Sequence, residues 1–206
     1  MDDEKVIAEL LQLLVAGNET SSNTLSWTFY LLAKHPEHLV GMREEIDAAF
    51  GDDEVDYEKL HKLNYVMGVL NEAMRLYPPF WMIDRVALDK DEICGVEIPV
   101  GTTVVPYIYG VHRNADIWKN PDRFDPTRFI GKNKRHPFAH IPFGGGPRVC
   151  IGQNMAIMQM LLVIVAIVRK YDFKLNPEKT IDMRTMMILR PNGPISMDFA
   201  LIPAAI

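Results

Sequence analysis

The residues around the second of the two cysteines have the types and spacing best suited to chemistry. The segment reads Phe143-Gly144-Gly145-Gly146-Pro147-Arg148-Val149-Cys150-Ile151-Gly152. Its glycines leave backbone N–H groups free to point at one anion, and an apolar helix predicted from about Ile151 to Arg169 directs its positive end at the same place. A thiolate is favoured there, and a bound metal would hold the sulfur deprotonated outright. The pattern therefore indicates that Cys150 acts as an anionic sulfur.

Other uses of a glycine loop make different demands on the neighbouring residues. A phosphate-binding loop needs Gly-Lys-Ser/Thr after the glycines, and a cysteine phosphatase needs an arginine shortly after the cysteine, where Met155 and Ala156 stand. A zinc site needs further Cys or His at short spacing, which the flanking sequence does not offer. A buried structural cysteine beside a tight turn is the remaining alternative, and the fixed offsets of Phe, Gly, Arg, Cys and Gly count against it.

Two upstream segments place polar groups where apolar ones are expected. Glu72 and Arg75 lie at i, i+3 in an apolar helix that is stopped by Pro78-Pro79, which favours a buried ion pair over a solvated one. The stretch from Gly17 to Thr24 puts eight non-apolar residues in the middle of a long first helix. A helix that surfaces for two turns would explain this second segment without any function.

These segments together resemble the cytochrome P-450 family of haem-thiolate monooxygenases. The cysteine decapeptide is similar to the family pattern F-x-x-G-x-R-x-C-x-G at each fixed position: Phe143, Gly146, Arg148, Cys150 and Gly152. The resemblance implies that Cys150 is the thiolate ligand of haem iron. It also implies that Phe143 packs beside the sulfur, that Arg148 pairs with a haem propionate, and that Gly152 lets the next helix approach the porphyrin.

The polar interruption of the first helix resembles the oxygen-binding motif A-G-x-[D/E]-T of the same family. The matching residues are Ala16-Gly17-Asn18-Glu19-Thr20. The resemblance implies that Ala16 and Gly17 leave room for dioxygen over the iron. It implies that Glu19 and Thr20 are the catalytic pair that relays protons, while the Thr20 hydroxyl hydrogen bonds back to a helix carbonyl.

A third resemblance concerns an ion-pair triad. Glu72-Ala73-Met74-Arg75 is similar to the family's E-x-x-R, and Pro126-Thr127-Arg128-Phe129 is similar to its P-x-R-F. The near-copy Pro121-Asp122-Arg123-Phe124 is the alternative source of the second arginine, and family spacing favours Arg128. The implied triad of Glu72, Arg75 and Arg128 acts on folding and haem retention rather than on chemistry.

Three smaller features carry further expectations. Arg85, ten positions after Arg75, matches a second propionate-binding arginine of many family members, with an exposed strand arginine as the alternative. His112-Arg113 resembles a recurrent family dipeptide without a ligand role, and we interpret His112 as structural. Cys94, beside Gly95 in a predicted hairpin, is interpreted as an inert small hydrophobe.

The substrate-contacting segments that the resemblance implies are bulky and apolar. Phe80 and Met82 follow the Pro78-Pro79 stop, and Met187 lies in a predicted turn near the C-terminus. These three residues are predicted to line the substrate site, which favours a lipophilic substrate. Residues of this type are equally common as core, and that remains the alternative.

The elements that must position these groups are predicted from hydrophobic spacing. Apolar residues at helical intervals predict a first third made of helices, and β-branched and turn residues from Trp81 onward predict short strands and a hairpin. A proline-punctuated stretch between Asn114 and Pro142 follows neither period. The expected fold class is mainly α with small β-sheets (α+β). The resemblance implies that residues 1–206 are the C-terminal part of a single cytochrome P-450 domain, with the N-terminal half absent.

Composition limits the remaining possibilities. The 206 residues carry a net charge of −5, which offers no basic surface for nucleic acid. Two distant cysteines suit a reducing compartment, no targeting signal is visible, and the longest apolar run is too short to span a membrane. We therefore expect a cytoplasmic protein without a membrane span or a nucleic-acid partner.

The function implied by the resemblance is insertion of one oxygen atom from O2 into a lipophilic small molecule. Its cofactor is haem b (iron protoporphyrin IX), its co-substrate is O2, and its electrons come from a flavoprotein or a ferredoxin. Peroxide-driven oxygenation or isomerase chemistry on the same haem is one alternative. A truncated, non-catalytic remnant or a simple haem-binding module is the other.

Overall fold

The computed structural model of the chain describes residues 2–131, 135–177 and 179–203. The helices are α1 (Asp3–Lys34), α2 (Glu37–Phe50), α3 (Tyr57–Leu60), α4 (Asn64–Leu76), α5 (Ile108–Val111) and α6 (Gln153–Val168), with short 3₁₀ helices at Pro126–Phe129, Pro137–Ala139 and Gly146–Arg148. The strands are β1 (Arg85–Val86), β2 (Asp91–Ile93), β3 (Val96–Ile98), β4 (Thr103–Val104), β5 (Tyr171–Leu175), β6 (Met183–Thr185), β7 (Leu189–Pro191) and β8 (Met197–Leu201). The predicted class, mainly α with small β-sheets, is confirmed.

The strands of the described residues pair two by two, and every pair is antiparallel. β1 pairs with β4, β2 with β3, β5 with β8, and β6 with β7. In the last of these hairpins Thr185 lies opposite Leu189, so that Met186, Met187 and Ile188 form its tip. The helices supply most of the core, and β5 adds Phe173 and Leu175 to it.

The core lies where α4 is surrounded by the second half of α1, by α2 and by α6. α4 buries nine of its residues, including both members of its ion pair. Trp27 of α1 stacks face to face on Tyr77 at the end of α4, with ring centroids 3.8 Å apart. The first half of α1 has no such cover, because most of its residues up to Asn18 are exposed.

The polar stretch does not break α1, because its hydroxyl groups are satisfied within the helix. Thr20, Ser22, Thr24, Ser26 and Thr28 each donate a hydrogen bond to the carbonyl four residues earlier, at 2.8–2.9 Å. The helix is therefore continuous to Lys34, with His35 as its C-cap.

The proline-rich stretch between Asn114 and Pro142 contains more local structure than its lack of periodicity predicts. Its two 3₁₀ helices begin with Pro126 and Pro137, whose fixed φ suits the first position of a helix. The side chains of Asp125 and His136 cap them by accepting hydrogen bonds from the backbone N–H groups two residues later. Across the described ranges, no helix has both the length and the apolar character that crossing a bilayer requires.

Candidate active site

The Cys150 loop, residues 143–152, folds back on itself just before α6. The Cys150 N–H donates a hydrogen bond to the Phe143 carbonyl at 3.0 Å, which closes the loop. Gly144 and Gly146 have φ values of +76° and +70°, a left-handed conformation that favours glycine. Because α6 begins at Gln153, the sulfur lies next to the positive end of a 16-residue helix.

The surroundings of Cys150 suit a flat apolar cofactor that itself supplies the other ligands of its metal ion. The free thiol is exposed, and its neighbours Val149, Ile151 and Met155 are exposed as well, Ile151 by 96%. Within the described residues, no three His, Cys, Asp or Glu side chains come together as a metal site. A single cysteine sulfur therefore suits a macrocycle such as haem, whose ring nitrogens would supply the other donors.

The space beneath the loop is too small for such a group. A pocket of about 210 Å³ lies between α4, α6 and the start of the loop, and Asn71, Phe143 and Gln153 contribute to its lining. Pockets for drug-sized ligands measure about 300–1,000 Å³. Cys150 does not line this pocket, so a macrocycle bound through its sulfur would lie outside the pocket, beside the exposed Val149, Ile151 and Met155.

The structure brings Glu72, Arg75 and Arg128 together. Arg75 donates two hydrogen bonds, of 2.7 and 2.8 Å, to the Glu72 carboxylate, and both side chains are fully buried. Arg128 Nε lies 3.3 Å from Glu72 Oε1. Arg123, the alternative arginine, instead offers its backbone carbonyl to Arg75 Nη2 at 3.3 Å. The triad therefore ties α4 to the 3₁₀ helix at Pro126–Phe129.

The predicted oxygen-binding motif lies on one turn of α1. The Thr20 hydroxyl donates to the Ala16 carbonyl at 2.8 Å, and a Cβ added to Gly17 would meet no atom within 4 Å. The Glu19 carboxylate forms an ion pair with Arg190 of β7, with both side chains partly exposed. The motif thus combines an open backbone position, a hydroxyl and a paired carboxylate.

Sequence reasoning missed the contact that attaches β7 to α1. The Leu189 carbonyl accepts hydrogen bonds from Asn23 Nδ2 at 2.8 Å and Trp27 Nε1 at 3.4 Å. Glu19, Asn23 and Trp27 are four residues apart in turn, so they share one face of α1. The signal was available in Asn23, a polar residue in the buried half of the helix that needs a partner.

The predicted substrate-facing residues come from two segments that the structure joins. Trp81 Nε1, between Phe80 and Met82, donates to the Met186 carbonyl at 2.8 Å, next to Met187. Phe80, Met82 and Met187 are all exposed, Met187 by 77%. The three therefore lie on apolar surface rather than in the core.

The two predicted propionate-binding arginines lie on different elements of the fold. Arg148 is exposed in the 3₁₀ helix of the Cys150 loop. Arg85 is exposed in β1, donates to the carbonyl of Asp84 at 2.7 Å and lines a pocket of about 390 Å³ formed by the residues of β1 to β4. No hydrogen bond or ion pair among the described residues joins Arg85 to the Cys150 loop.

Comparison with known proteins decides the family. The family model described as Cytochrome P-450 matches residues 1–199. The chain belongs to the cytochrome P-450 family. Of the cytochrome P-450 motifs, the structure brings the triad into one hydrogen-bonded cluster and the fixed positions of the cysteine decapeptide into one loop.

Individual cytochromes P-450 from distant organisms are similar to this chain. Cytochrome P-450 3A6 of Oryctolagus cuniculus is 38% identical over 200 residues, which cover 95% of this chain and 40% of the relative. Cytochrome P-450 734A5 of Oryza sativa subsp. japonica is 40% identical over 91% of this chain and 36% of the relative. Putative cytochrome P-450 132 of Mycobacterium bovis is 38% identical over 91% of this chain and 41% of the relative. The chain thus spans about 40% of the length of these curated relatives.

Proposed function

We propose that this chain carries the oxygen-activating site of a haem-dependent monooxygenase. The reaction inserts one oxygen atom of O2 into a lipophilic organic substrate, and two electrons and two protons reduce the other atom to water. The electrons come from a flavoprotein or a ferredoxin. The observation that carries the proposal is the exposed Cys150 thiol, held at the start of α6 by the closed loop and bordered by apolar surface.

The Cys150 loop holds the sulfur in one place for binding haem b. Haem b, when bound, supplies the iron that binds O2 and exchanges electrons. The Phe143–Cys150 hydrogen bond restrains the backbone that leads into Cys150. The sulfur lies next to the N-terminal end of α6, which carries the positive end of the helix dipole. Arg148, exposed on the same loop, is available for a carboxylate at the edge of the ring.

Glu19 and Thr20 hold and move protons in this proposal. The Thr20 hydroxyl donates its own proton to the Ala16 carbonyl, which leaves its oxygen to accept a hydrogen bond from water. The Glu19 carboxylate, on the adjacent residue of α1, is held by its ion pair with Arg190. Positioned proton transfer of this kind is worth about 10²–10⁴-fold in rate.

The lipophilic substrate is inferred from exposed apolar side chains at the joined segments. Phe80, Met82 and Met187 present carbon-rich surface, and the Trp81–Met186 hydrogen bond fixes the two segments relative to each other. Burial of such surface by a substrate is worth roughly 25 cal/mol per Å².

The spectrum of the reduced carbon monoxide complex tests the proposal. The protein loaded with haem should show the thiolate-ligated Soret band, and Cys150→Ala should abolish that band. Cys94→Ala is the matched control, because Cys94 is also an exposed free cysteine and lies in the β2–β3 turn. An unchanged band in Cys150→Ala would contradict the proposal.

The same preparation separates the alternatives. Product formed from O2 and reductant supports the monooxygenase. Product formed only from peroxide, or rearrangement without reductant, supports the other haem chemistries. A thiolate band without any turnover supports a haem-binding module, and failure to bind haem supports a non-catalytic remnant.

A further inference from the structure

His112 forms hydrogen bonds with two parts of the site. It lies at the end of α5 and is fully buried. Its backbone carbonyl accepts a hydrogen bond from Arg75 Nη1 at 2.7 Å. Its ring atom Nε2 accepts one from the backbone N–H of Ile141 at 2.9 Å. One residue therefore touches the Glu72–Arg75 ion pair on one side and the approach to the Cys150 loop on the other.

The contact to Ile141 continues to the cysteine through the backbone. The Ile141 carbonyl accepts from the Gly144 N–H at 3.0 Å, and Phe143, between them in sequence, accepts from the Cys150 N–H at 3.0 Å. Each hydrogen bond restrains a backbone segment that contains a partner of the next hydrogen bond. A shift at Ile141 is therefore transmitted to the backbone on which the sulfur is carried.

The contact requires a neutral imidazole. Because Nε2 accepts a hydrogen bond, the ring proton lies on Nδ1. The groups around the ring oppose a second proton: Arg75 and Arg113 are cations, and the His140 ring lies 5.1 Å away. Burial is the largest cause that lowers the pKa of His112 to about 4; backbone hydrogen bonds at Arg75 and Met74 oppose it, and the charges of Arg75 and Arg113 add to it. Burial also holds the pKa of His140 well below its usual value.

We propose that His112 is a positioning residue for the Cys150 loop, acting through the hydrogen bond that its ring accepts from Ile141. The inference rests on the proposed function, in which the loop exists to hold the sulfur on haem iron. Partners that orient a metal ligand from behind it change metal affinity by about 10–100-fold when they are removed.

Two substitutions in the haem-loaded protein separate the hydrogen bond from simple packing. His112→Gln keeps an oxygen near the place of Nε2 as acceptor but cannot gain a proton. His112→Leu fills the space without an acceptor. Leu60→Ala, in the core beside α6, is the control for lost stability. The measurements are the thiolate Soret band, the rate of haem transfer to excess apomyoglobin, and hydrogen exchange of the Ile141 amide.

His112→Leu should lose haem about tenfold faster or more and lose part of the thiolate band. Its Ile141 amide should exchange faster, while His112→Gln stays within about twofold of the unsubstituted protein in all three measurements. Leu60→Ala should unfold at lower temperature without a change in the band. The inference is overturned if His112→Leu behaves like Leu60→Ala, or if His112→Gln behaves like His112→Leu.

The exchange measurement keeps this inference apart from the proposed function. If the unsubstituted protein shows no thiolate band, the haem proposal fails. Faster Ile141 exchange in His112→Leu but not in His112→Gln would still support the positioning role of His112. Equal exchange in the two variants would refute it whatever the haem does.

Discussion

The Glu72 carboxylate is fully buried and accepts four hydrogen bonds, two from Arg75, one from the Asp125 N–H and one from Arg128. Breaking a buried ion pair costs about 3–5 kcal/mol, because the remaining charge stays buried without its partner. Glu72→Gln keeps the shape but leaves the Arg75 guanidinium uncompensated. We therefore expect a loss of about 3–5 kcal/mol in the free energy of unfolding, measured by denaturant titration. Glu92→Gln, on exposed β2, should change it by less than about 0.5 kcal/mol, and equal effects would contradict the prediction.

Because the fold buries His112 and His140, we expect the free energy of unfolding to fall in acid. Burial lowers the pKa of His112 from 6.5 to about 4 in the folded protein, so between these values the unfolded chain binds more protons than the folded one. The contribution of His112 is fully present above pH 6.5, is lost as the pH falls towards 4, and amounts to about 3 kcal/mol. Burial lowers the pKa of His140 as well, so its contribution has the same sign.

Denaturant titrations at several pH values between 4 and 7 measure this dependence. His112→Gln should have a shallower slope of unfolding free energy against pH than the unsubstituted protein. His61→Gln, at an exposed position, should keep the original slope. A slope that is the same in all three proteins would show that His112 does not remain neutral in the fold.

The packing of α4 on the 3₁₀ helix at Pro126–Phe129 depends on a glycine. A Cβ added to Gly68 would lie 2.9 Å from the Pro126 carbonyl oxygen, which is backbone and cannot turn away. Gly68→Ala must therefore push this 3₁₀ helix outward, and with it the Asp125 N–H and Arg128 that bind Glu72. Overpacking of this kind costs about 1–3 kcal/mol, more than the gain of up to about 1 kcal/mol from alanine in a helix.

At a second helical glycine, Gly17, we expect alanine to have the opposite effect on the free energy of unfolding. A Cβ at Gly17 of α1 would meet nothing within 4 Å. Gly17→Ala should therefore raise the free energy of unfolding by up to about 1 kcal/mol, while Gly68→Ala lowers it. Denaturant titration of both variants gives the signs directly, and a stabilised Gly68→Ala would refute the close approach.

Local patterns predicted the elements and the motifs that lie within them. The spacing of Glu72 and Arg75 is a property of one helix, and so is the bond from Thr20 to Ala16. Contacts between elements that are distant in sequence could not be predicted from such local patterns. Arg190 meets Glu19, and Leu189 accepts from Asn23, only because the β6–β7 hairpin docks on α1. His112 was interpreted as structural for the same reason, since its partner Ile141 lies 29 residues further along.

The molecule combines a closed helical core with large apolar surfaces that remain open. Ile7, Leu10, Leu11, Leu13, Leu14 and Val15 of α1 are each more than half exposed, and Ile151 and Met155 are exposed beside Cys150. Monomeric proteins seldom expose contiguous apolar patches larger than a few hundred Å². Surface of this kind favours association, because each buried Å² contributes roughly 25 cal/mol.

We therefore expect the 206 residues, produced alone, to self-associate through the first half of α1. The double variant Leu10→Glu with Leu14→Lys removes two exposed leucines and places an acid four residues before a base, which supports the helix. It should sediment as smaller species than the unsubstituted chain at equal concentration. Ala8→Glu with Gln12→Lys adds the same charges at exposed positions of α1 but keeps the leucines, so it should associate like the unsubstituted chain. Sedimentation velocity distinguishes the two, and equal dissociation in both variants would assign the association to charge rather than to the leucines.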